Sequence, residues 1–370
     1  MYLDNAATMP LSNSMKEYIF SVIDDFGNPS SIYSIGETAR NIIENSRDSV
    51  SKFINAESDN IYFTSGGSAS NTLAIKGYYE KNNCSILYSP TCHKSILECV
   101  KHLKRSYPLK VDNAGNIDFD DLKEWLKSRS DDFLVVFEYA NSEIGTIQDI
   151  EKLINLIHFY NAKVYIDCTG SISQIPLDVE KLNIDMAGFS GHKLGALKGC
   201  GVLYKKSNIE LEPLIYGSQE NGYIGGTENV IGIASIGKAV QDYDYSNISS
   251  DNRDYVYNFI IENISGSYIV GNSTSRLPLN LYICIPKIEG ESLVRILDKA
   301  ENIQISTGSA CTSKEMLPSP SLLAINLNNQ DIHSCIRITF SGNESKGELD
   351  KLCESLKKHV MMLRNLGSEV

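Results

Sequence analysis

A lysine and an aspartate each follow an apolar run of the kind that forms a buried strand. Lys193 ends the sequence FSGHK at 189–193, and Asp167 ends the sequence VYID at 164–167. Side chains that follow parallel strands meet at one edge of an α/β sheet, where ligands bind. Pyridoxal phosphate requires a carboxylate for its pyridinium nitrogen and an amine for its aldehyde. The pair therefore predicts a site for this cofactor.

A cysteine in a polar segment adds sulfur chemistry to this prediction. Cys311 lies in STGSACTS at 306–313, a composition typical of a loop in which a thiol is reachable. Most other cysteines lie in or beside apolar runs, where an inert buried thiol is expected. Cys92, next to His93, is the one alternative nucleophile.

A phosphate site is predicted where FTSGGSASN at 63–71 joins a strand to a helix. Its small residues let backbone N–H groups and Ser68 face an anion at the positive end of the helix. An ordinary strand-to-helix turn explains the same sequence. Taken singly, a lysine after a strand, such as Lys193, is usually a solvated surface residue. Asp167 alone is equally well explained as a helix N-cap. Their coincidence at one end of one sheet favours a site.

Composition narrows the class of protein. The chain has 370 residues, 42% of them hydrophobic, without a long apolar run, and this predicts a soluble globular protein of two domains. The start of the chain lacks a signal or transit pattern, so a cytoplasmic location is expected. Nine cysteines without metal-ligand spacing indicate reduced thiols rather than disulfides or zinc. A net charge of -12 disfavours nucleic acid and anionic membranes as partners.

Continuous apolar runs alternate with helical stretches, which predicts a mostly parallel sheet covered by helices on both faces. Polar sequence at 242–252 marks a boundary before a second region. We predict a large cofactor-binding domain at 13–245 and a smaller α+β domain at 1–12 and 246–370 that carries the Cys311 loop. The predicted strands are 60–64, 85–88, 134–138, 163–167, 186–189, 201–204 and 279–285, and the predicted helices are 41–53, 119–127 and 150–160.

Six motifs occur in the order found in one family. The sequence resembles the cysteine desulfurases of the nitrogen-fixation and iron–sulfur-cluster type, which are class V aminotransferases of pyridoxal phosphate fold type I. The motifs are YLDNAAT at 2–8, GNPSS at 27–31, NSEIG at 141–145, SGHK at 190–193, GTEN at 226–229 and the Cys311 segment. The resemblance covers essentially the whole chain.

This resemblance implies a role for each candidate residue. Lys193 binds the cofactor aldehyde and moves the substrate α-proton, Asp167 pairs with the pyridine nitrogen, and His93 stacks on the ring. Arg337 holds the substrate α-carboxylate, a task that suits a guanidinium fork better than a lysine. The further implied contacts to the cofactor are Gly67, Ser68, Ser142, Ser190, His192 and, from the other subunit of a homodimer, Thr227; Asn141 is a further substrate contact.

The resemblance also implies a reaction. Cys311 takes sulfur from L-cysteine as a persulfide, alanine is released, and the sulfur passes to a scaffold or carrier protein. Two other hypotheses remain open. The first is a selenocysteine lyase or β-lyase that acts on a related amino acid. The second is a catalytically weak paralogue with a regulatory or binding role.

Several residues depart from the family pattern, mostly near the cofactor. Gly170 stands in place of a usual glutamine, and Ser142 in place of a second asparagine; both usual residues touch the cofactor's phenolic oxygen. Further departures are Tyr33, Ala69, Ala196, Leu197 and Ile224. The resemblance therefore implies a divergent member, with altered rate, substrate or partner.

Overall fold

The computed structural model describes residues 1–128, 132–307 and 318–367. A seven-stranded sheet lies in the first part of the chain. Its strands are β1 (Ile61–Thr64), β2 (Ser85–Tyr88), β3 (Ser106–Pro108), β4 (Phe133–Glu138), β5 (Lys163–Asp167), β6 (Met186–Ser190) and β7 (Gly201–Lys205). Their spatial order is β1-β7-β6-β5-β4-β2-β3. β7 runs antiparallel to both neighbours, and the other neighbouring pairs are parallel.

Helices pack on both faces of this sheet. Successive strand residues enter two different apolar clusters, as Val135 and Val136 do, because side chains along a strand alternate between faces. Both faces are therefore buried, which explains the unbroken apolar runs. The helices of this part are α1 (Asn13–Val22), α2 (Ser34–Phe53), α3 (Gly67–Asn82), α4 (Lys94–Lys101), α5 (Phe119–Ser128), α6 (Ile150–Phe159) and α7 (Val230–Asp242).

A second, antiparallel sheet forms later in the chain around its own apolar cluster. Its strands are β8 (Tyr268–Ile269), β9 (Asn280–Cys284) and β10 (Cys335–Thr339), in the order β10-β9-β8. The N-terminus joins this sheet, since Thr339 N donates to Leu3 O at 2.8 Å. The accompanying helices are α8 (Asp251–Asn263), α9 (Gly290–Ile296), α10 (Pro320–Ala324), α11 (Asn329–Ile332) and α12 (Lys346–Gly367).

The predicted fold class is confirmed, and each predicted strand and helix has a counterpart. The strands β3, β8 and β10 were not among the predicted strands. β3 and β8 have three and two residues, which are too few to show a pattern. The division at 13–245 stays a prediction. In the ranges that the structure describes, no helix is long and apolar enough to cross a membrane.

Candidate active site

Asp167 and Lys193 lie at the same edge of the seven-stranded sheet. Asp167 is the last residue of β5, and Lys193 lies in the 3-10 turn Gly191–Leu194 that follows β6. β5 and β6 are parallel neighbours, so their carboxyl ends coincide. The structure thus brings together the two residues that the sequence analysis paired.

Two hydrogen bonds hold Asp167 in the interior. Its carboxylate accepts from Asn71 Nδ2 and from Thr169 N, both at 2.8 Å, and the residue is 2% exposed. Asn71 also donates to Ser95 Oγ at 2.8 Å. The sequence analysis did not single out Asn71, although it lies one helical turn beyond Gly67 in the same motif. A fixed, buried carboxylate is what a pyridinium nitrogen requires.

Lys193 has the properties of a reactive amine. Its Nζ donates to the carbonyl oxygens of Ala6 and, at 3.1 Å, of Ala7. Desolvation, together with the positive charge of Arg337, lowers the pKa of Lys193 to about 8. A usable fraction of the amine is therefore neutral and nucleophilic near neutral pH.

The start of α3 fits a phosphate-bearing group. The first N–H groups of a helix have no carbonyl partner within it, and they attract anions. A Cβ atom on Gly67 would lie 2.9 Å from Thr169 Oγ1 and 3.5 Å from Ser190 Cβ, so a glycine keeps this space open. Thr169 Oγ1 is buried without a hydrogen-bond partner among the described residues. A ligand that offers polar groups here would satisfy this hydroxyl.

Two histidines beside the site are held in the neutral form. Desolvation lowers the pKa of His192 to about 4, and the charge of Lys193 adds to this effect. The His192 ring contacts Thr8 Oγ1 at 3.1 Å through Nδ1. His93 caps α4 by accepting from Ser95 N at 3.2 Å, and desolvation lowers its pKa as well. An uncharged ring suits stacking on a cationic pyridinium.

For two other predicted cofactor contacts, Ser68 and Thr227, the structure gives a position but does not test the role. Ser68 lies in the first turn of α3, next to Gly67. Thr227 is exposed and follows Gly226, whose φ of 112° is accessible to glycine. Their roles stay predictions.

Arg337, on β10, is 6% exposed, and only some of its guanidinium N–H donors have an acceptor among the described residues. Its Nη2 donates to Asp4 Oδ1 at 2.7 Å, and its Nη1 donates to the Ser142 carbonyl oxygen at 3.1 Å. Nε is buried, and none of the described residues accepts a hydrogen bond from it. A carboxylate ligand would satisfy this donor. The sequence analysis named Asp4 only as part of a motif. Its contact with Arg337 was not predicted, because that contact joins distant parts of the sequence.

The side chain of Asn141 forms hydrogen bonds within its own loop and with neighbouring residues. Its Nδ2 donates to Glu138 Oε2 and to the Thr91 carbonyl, both at 2.8 Å. Its Oδ1 accepts from the N–H groups of Glu143 and Ile144, both at 2.9 Å. The predicted contact of Asn141 with substrate stays a prediction.

The departures at positions 142 and 170 are packed against each other. A Cβ atom on Gly170 would lie 2.7 Å from the Ala140 carbonyl oxygen and 3.0 Å from Ser142 Cβ. Such a contact requires the backbone to move, so a glutamine does not fit here without rearrangement. Gly170 and Ser142 line the same cleft as Lys193.

We therefore expect Gly170→Ala to lower the free energy of unfolding by about 1–3 kcal/mol, the usual cost of overpacking. The matched control is Gly347→Ala in α12, where an added Cβ meets no atom within 4 Å. Urea unfolding curves measure both variants. Equal midpoints for Gly170→Ala and the wild type would show that the loop accommodates a side chain freely.

The alternative nucleophile Cys92 is poorly suited to the task. It is 2% exposed, and desolvation raises the pKa of its thiol well above the usual value, with the charge of Glu138 adding to the effect. A buried thiol in this state forms little thiolate. Cys311 lies outside the described residues, so its position stays a prediction.

The architecture, with helices on both faces of a mostly parallel sheet, is that of fold type I of the pyridoxal phosphate enzymes, as in the NifS-like structures that superpose on this chain. The model of the family "Aminotransferase class-V" matches residues 1–352. The chain belongs to this family.

Individual relatives agree with this assignment along the whole length. Cysteine desulfurase IscS of Dictyoglomus turgidum is 37% identical, covering 99% of this chain and 96% of that protein. Cysteine desulfurase IscS 1 of Archaeoglobus fulgidus is 36% identical, covering 99% and 98%. Among solved structures, a NifS-like protein from Rickettsia africae superposes with a TM-score of 0.89 at 29% identity, covering 98% and 99%. SspA in complex with cysteine has a TM-score of 0.81 at 29% identity, covering 93% and 99%.

Proposed function

We propose that this protein is a pyridoxal phosphate-dependent cysteine desulfurase. One L-cysteine and the Cys311 thiol give one L-alanine and one Cys311 persulfide, whose outer sulfur then passes to an acceptor protein. The observation that carries the proposal is Lys193, an amine with a lowered pKa beside both Asp167 and Arg337. The names of the full-length relatives, which are cysteine desulfurases, supply the substrate.

The contacts of Asp167, Arg337 and Lys193 suggest a separate role for each residue. Bound pyridoxal phosphate supplies an electron sink for charge that develops at the substrate α-carbon. Asp167 would hold the proton on the ring nitrogen, because a buried carboxylate raises the pKa of a nearby base. Arg337 would bind the α-carboxylate through its free Nε–H, and Lys193 would move the α-proton.

Sulfur leaves in one group transfer. The Cys311 thiolate attacks the substrate sulfur, an S–S bond forms, and the substrate C–S bond breaks with its electron pair left on carbon. A proton then completes the methyl group of alanine. No external oxidant is consumed, since the substrate carbon is reduced as the sulfur is oxidised.

Product analysis tests the reaction. The purified protein, loaded with cofactor and given L-cysteine with a reducing thiol, should release alanine and sulfide in equal amounts. Pyruvate and ammonia as main products would instead identify a β-lyase. Selenocysteine turned over much faster than cysteine would identify a selenocysteine lyase.

We expect Arg337→Lys to raise KM for cysteine about 10- to 150-fold, because a charged hydrogen bond worth about 1.5–3 kcal/mol is lost with the fork. The kcat should change much less, since Lys193 is untouched. Arg295→Lys is the control, an exposed residue that pairs only with Glu291 among the contacts described. Steady-state kinetics separate the two parameters, and an unchanged KM would remove Arg337 from substrate binding.

A homodimer is part of the proposal, and exposed apolar residues near the N-terminus support it. Phe20, Phe26 and Ile32 are 75%, 82% and 99% exposed, and Tyr33 is 57% exposed. All four lie within residues 20–33, and several large exposed apolar residues in one segment are typical of an interaction surface. A cytoplasmic location is proposed as well, supported by eight free cysteines among the described residues.

We expect Ile32→Asp to shift the protein from dimer to monomer and to weaken cofactor binding, because Thr227 would no longer reach the neighbouring site. Phe159→Asp is the control, a 77% exposed residue at the end of α6. Sedimentation equilibrium measures the mass. An active, cofactor-loaded monomer of the wild type would refute the dimer.

A further inference from the structure

Asn280 lies on the same face of the second sheet as Arg337. Asn280 is the first residue of β9 and lies opposite Thr339 on β10, and Arg337 lies two residues before Thr339. Side chains two residues apart on a strand share a face, and diagonal neighbours on paired strands are close enough for long side chains to reach one partner. Asn280 is fully buried.

The Ser142 carbonyl oxygen accepts a hydrogen bond from each of these two side chains. Asn280 Nδ2 and Arg337 Nη1 both donate to it at 3.1 Å. A carbonyl oxygen has two lone pairs, so it accepts both bonds at once. The other proton of Asn280 Nδ2 is available for the Glu143 carbonyl oxygen at 3.3 Å. The Asn280 amide therefore fixes the carbonyl group to which Arg337 binds.

Arg276 determines the orientation of the Asn280 amide. Arg276 is 5% exposed, and its Nη1 donates to Asn280 Oδ1 at 3.2 Å. Its Nε donates to the Asn272 carbonyl oxygen at 3.0 Å, and its Nη2 donates to that of Val270. A guanidinium group only donates hydrogen bonds, so the amide turns its oxygen toward Arg276 and its NH2 group toward Ser142.

The loop that contains Ser142 lies in direct contact with Arg276 and Asn280. A Cβ atom on Gly145 would lie 2.6 Å from Arg276 Nη1 and 2.6 Å from Asn280 Oδ1. The φ of Gly145 is 79°, which suits a glycine. Leu277 N donates to the Gly145 carbonyl oxygen at 2.8 Å. The Ser142 carbonyl thus has a fixed position relative to the second sheet.

The bond from Arg337 to Ser142 leaves one donor of the guanidinium free. Nη1 binds Ser142, Nη2 binds Asp4 Oδ1 at 2.7 Å, and Nε has no acceptor among the described residues. The carbonyl therefore fixes the plane of the guanidinium without occupying Nε. A carboxylate binds best in that plane, so a rotated guanidinium holds it less well.

Resting on the proposed function, we propose that Asn280 is a positioning residue for binding of the substrate α-carboxylate. Oriented by Arg276, it holds the Ser142 carbonyl where that carbonyl keeps Nε of Arg337 directed at the substrate. A ligand with an α-carboxylate gains affinity from this arrangement, and an amine without a carboxylate gains none.

Two ligands that differ only in the carboxylate test the proposal. L-Alanine, the proposed product, carries the group, and ethylamine is the same amine without it. The absorbance of the cofactor-loaded protein reports the binding of each. We expect Asn280→Ala to weaken L-alanine binding about 3- to 12-fold, the scale of one hydrogen bond, and to change ethylamine binding less than twofold. The KM for L-cysteine should rise by a similar factor, with little change in kcat.

Further variants show whether the effect passes through Arg337. Arg276→Lys keeps the charge but loses the fork that orients the amide, so it should weaken L-alanine binding about two- to fivefold, again without an effect on ethylamine. Adding Asn280→Ala to Arg337→Lys should change L-alanine binding less than twofold, because the guanidinium that the carbonyl holds is already absent. Should Asn280→Ala fail to fold, Asn280→Ser and Arg276→Lys decide the question.

Asn82→Ala is the matched control. Asn82, at the end of α3, also donates from Nδ2 to two carbonyl oxygens, those of Tyr78 at 3.0 Å and Glu210 at 3.2 Å. Its replacement should leave the binding of both ligands unchanged.

Three outcomes contradict different parts of the account. No alanine formed from L-cysteine by the wild type would overturn the proposed function itself. L-Alanine binding weakened by Arg337→Lys but unchanged by Asn280→Ala would overturn only the role of Asn280. Equal weakening of L-alanine and ethylamine binding by Asn280→Ala would also overturn it, since Asn280 would then support the site as a whole.

Discussion

Replacing Cys311 by serine should lower alanine formation from L-cysteine by at least about 1,000-fold, the scale expected when a nucleophile is removed. Attack on sulfur requires a thiolate, and a serine hydroxyl does not ionise at neutral pH. The absorbance change that reports substrate binding should remain, because Lys193 and Arg337 are unchanged.

Cys99→Ser is the matched control for this loss. Cys99 is a partly exposed free thiol whose pKa is raised to about 11 by burial, so its removal should leave turnover unchanged. Full activity of Cys311→Ser together with loss of activity in Cys92→Ser would identify Cys92 as the nucleophile, despite its burial and the raised pKa of its thiol.

Replacing Lys193 by alanine should have a comparable effect, about 1,000-fold or more on turnover, together with weaker cofactor binding. In the proposed mechanism this side chain is both the covalent attachment point and the base for the α-proton. Borohydride reduction of the wild type, followed by peptide mapping, should place a pyridoxyl label on Lys193. The control Lys198→Ala removes an exposed lysine nearby and should retain the label and the activity.

The lowered pKa of Lys193 adds a pH dependence. Only the neutral amine attacks an aldehyde, so the rate of cofactor attachment to the cofactor-free protein should rise about tenfold per pH unit below pH 8 and level off above it. The value of about 8 follows from desolvation and Arg337. A label on another lysine, or attachment that levels off only near pH 10, would rule out this assignment.

Local sequence patterns predicted much of the fold and the centre of the site. Unbroken apolar runs marked the buried strands, and the positions of Asp167 and Lys193 after two of them placed both at one sheet edge. The family assignment and fold type are confirmed by matches over the whole chain.

The contacts around Arg337 could not be predicted from the sequence. Asp4 and Arg337 are 333 positions apart, and they meet because the N-terminus pairs with β10. The contact between the Tyr282 hydroxyl and Glu143 likewise joins residues that are 139 positions apart. Periodicity and turn signals report neighbours along the chain, so they carry no information about such pairs.

The packing of Gly170 against Ser142 was also not predictable. The sequence showed two departures from a family pattern, which indicated a change in contacts to the cofactor. The structure adds that the two small residues fill one crowded turn, where the Ala140 carbonyl leaves no room for a Cβ at position 170. Whether a side chain fits is a property of the fold and not of either residue alone.

The most direct test of the central claim is the mass of the protein after one turnover with sulfur-labelled L-cysteine and no reducing thiol. Peptide mapping should find one added labelled sulfur on the peptide that contains Cys311, together with one equivalent of alanine per active site. Labelled sulfur on Cys92, or pyruvate formed with no sulfur bound to the protein, would contradict a desulfurase that works through Cys311.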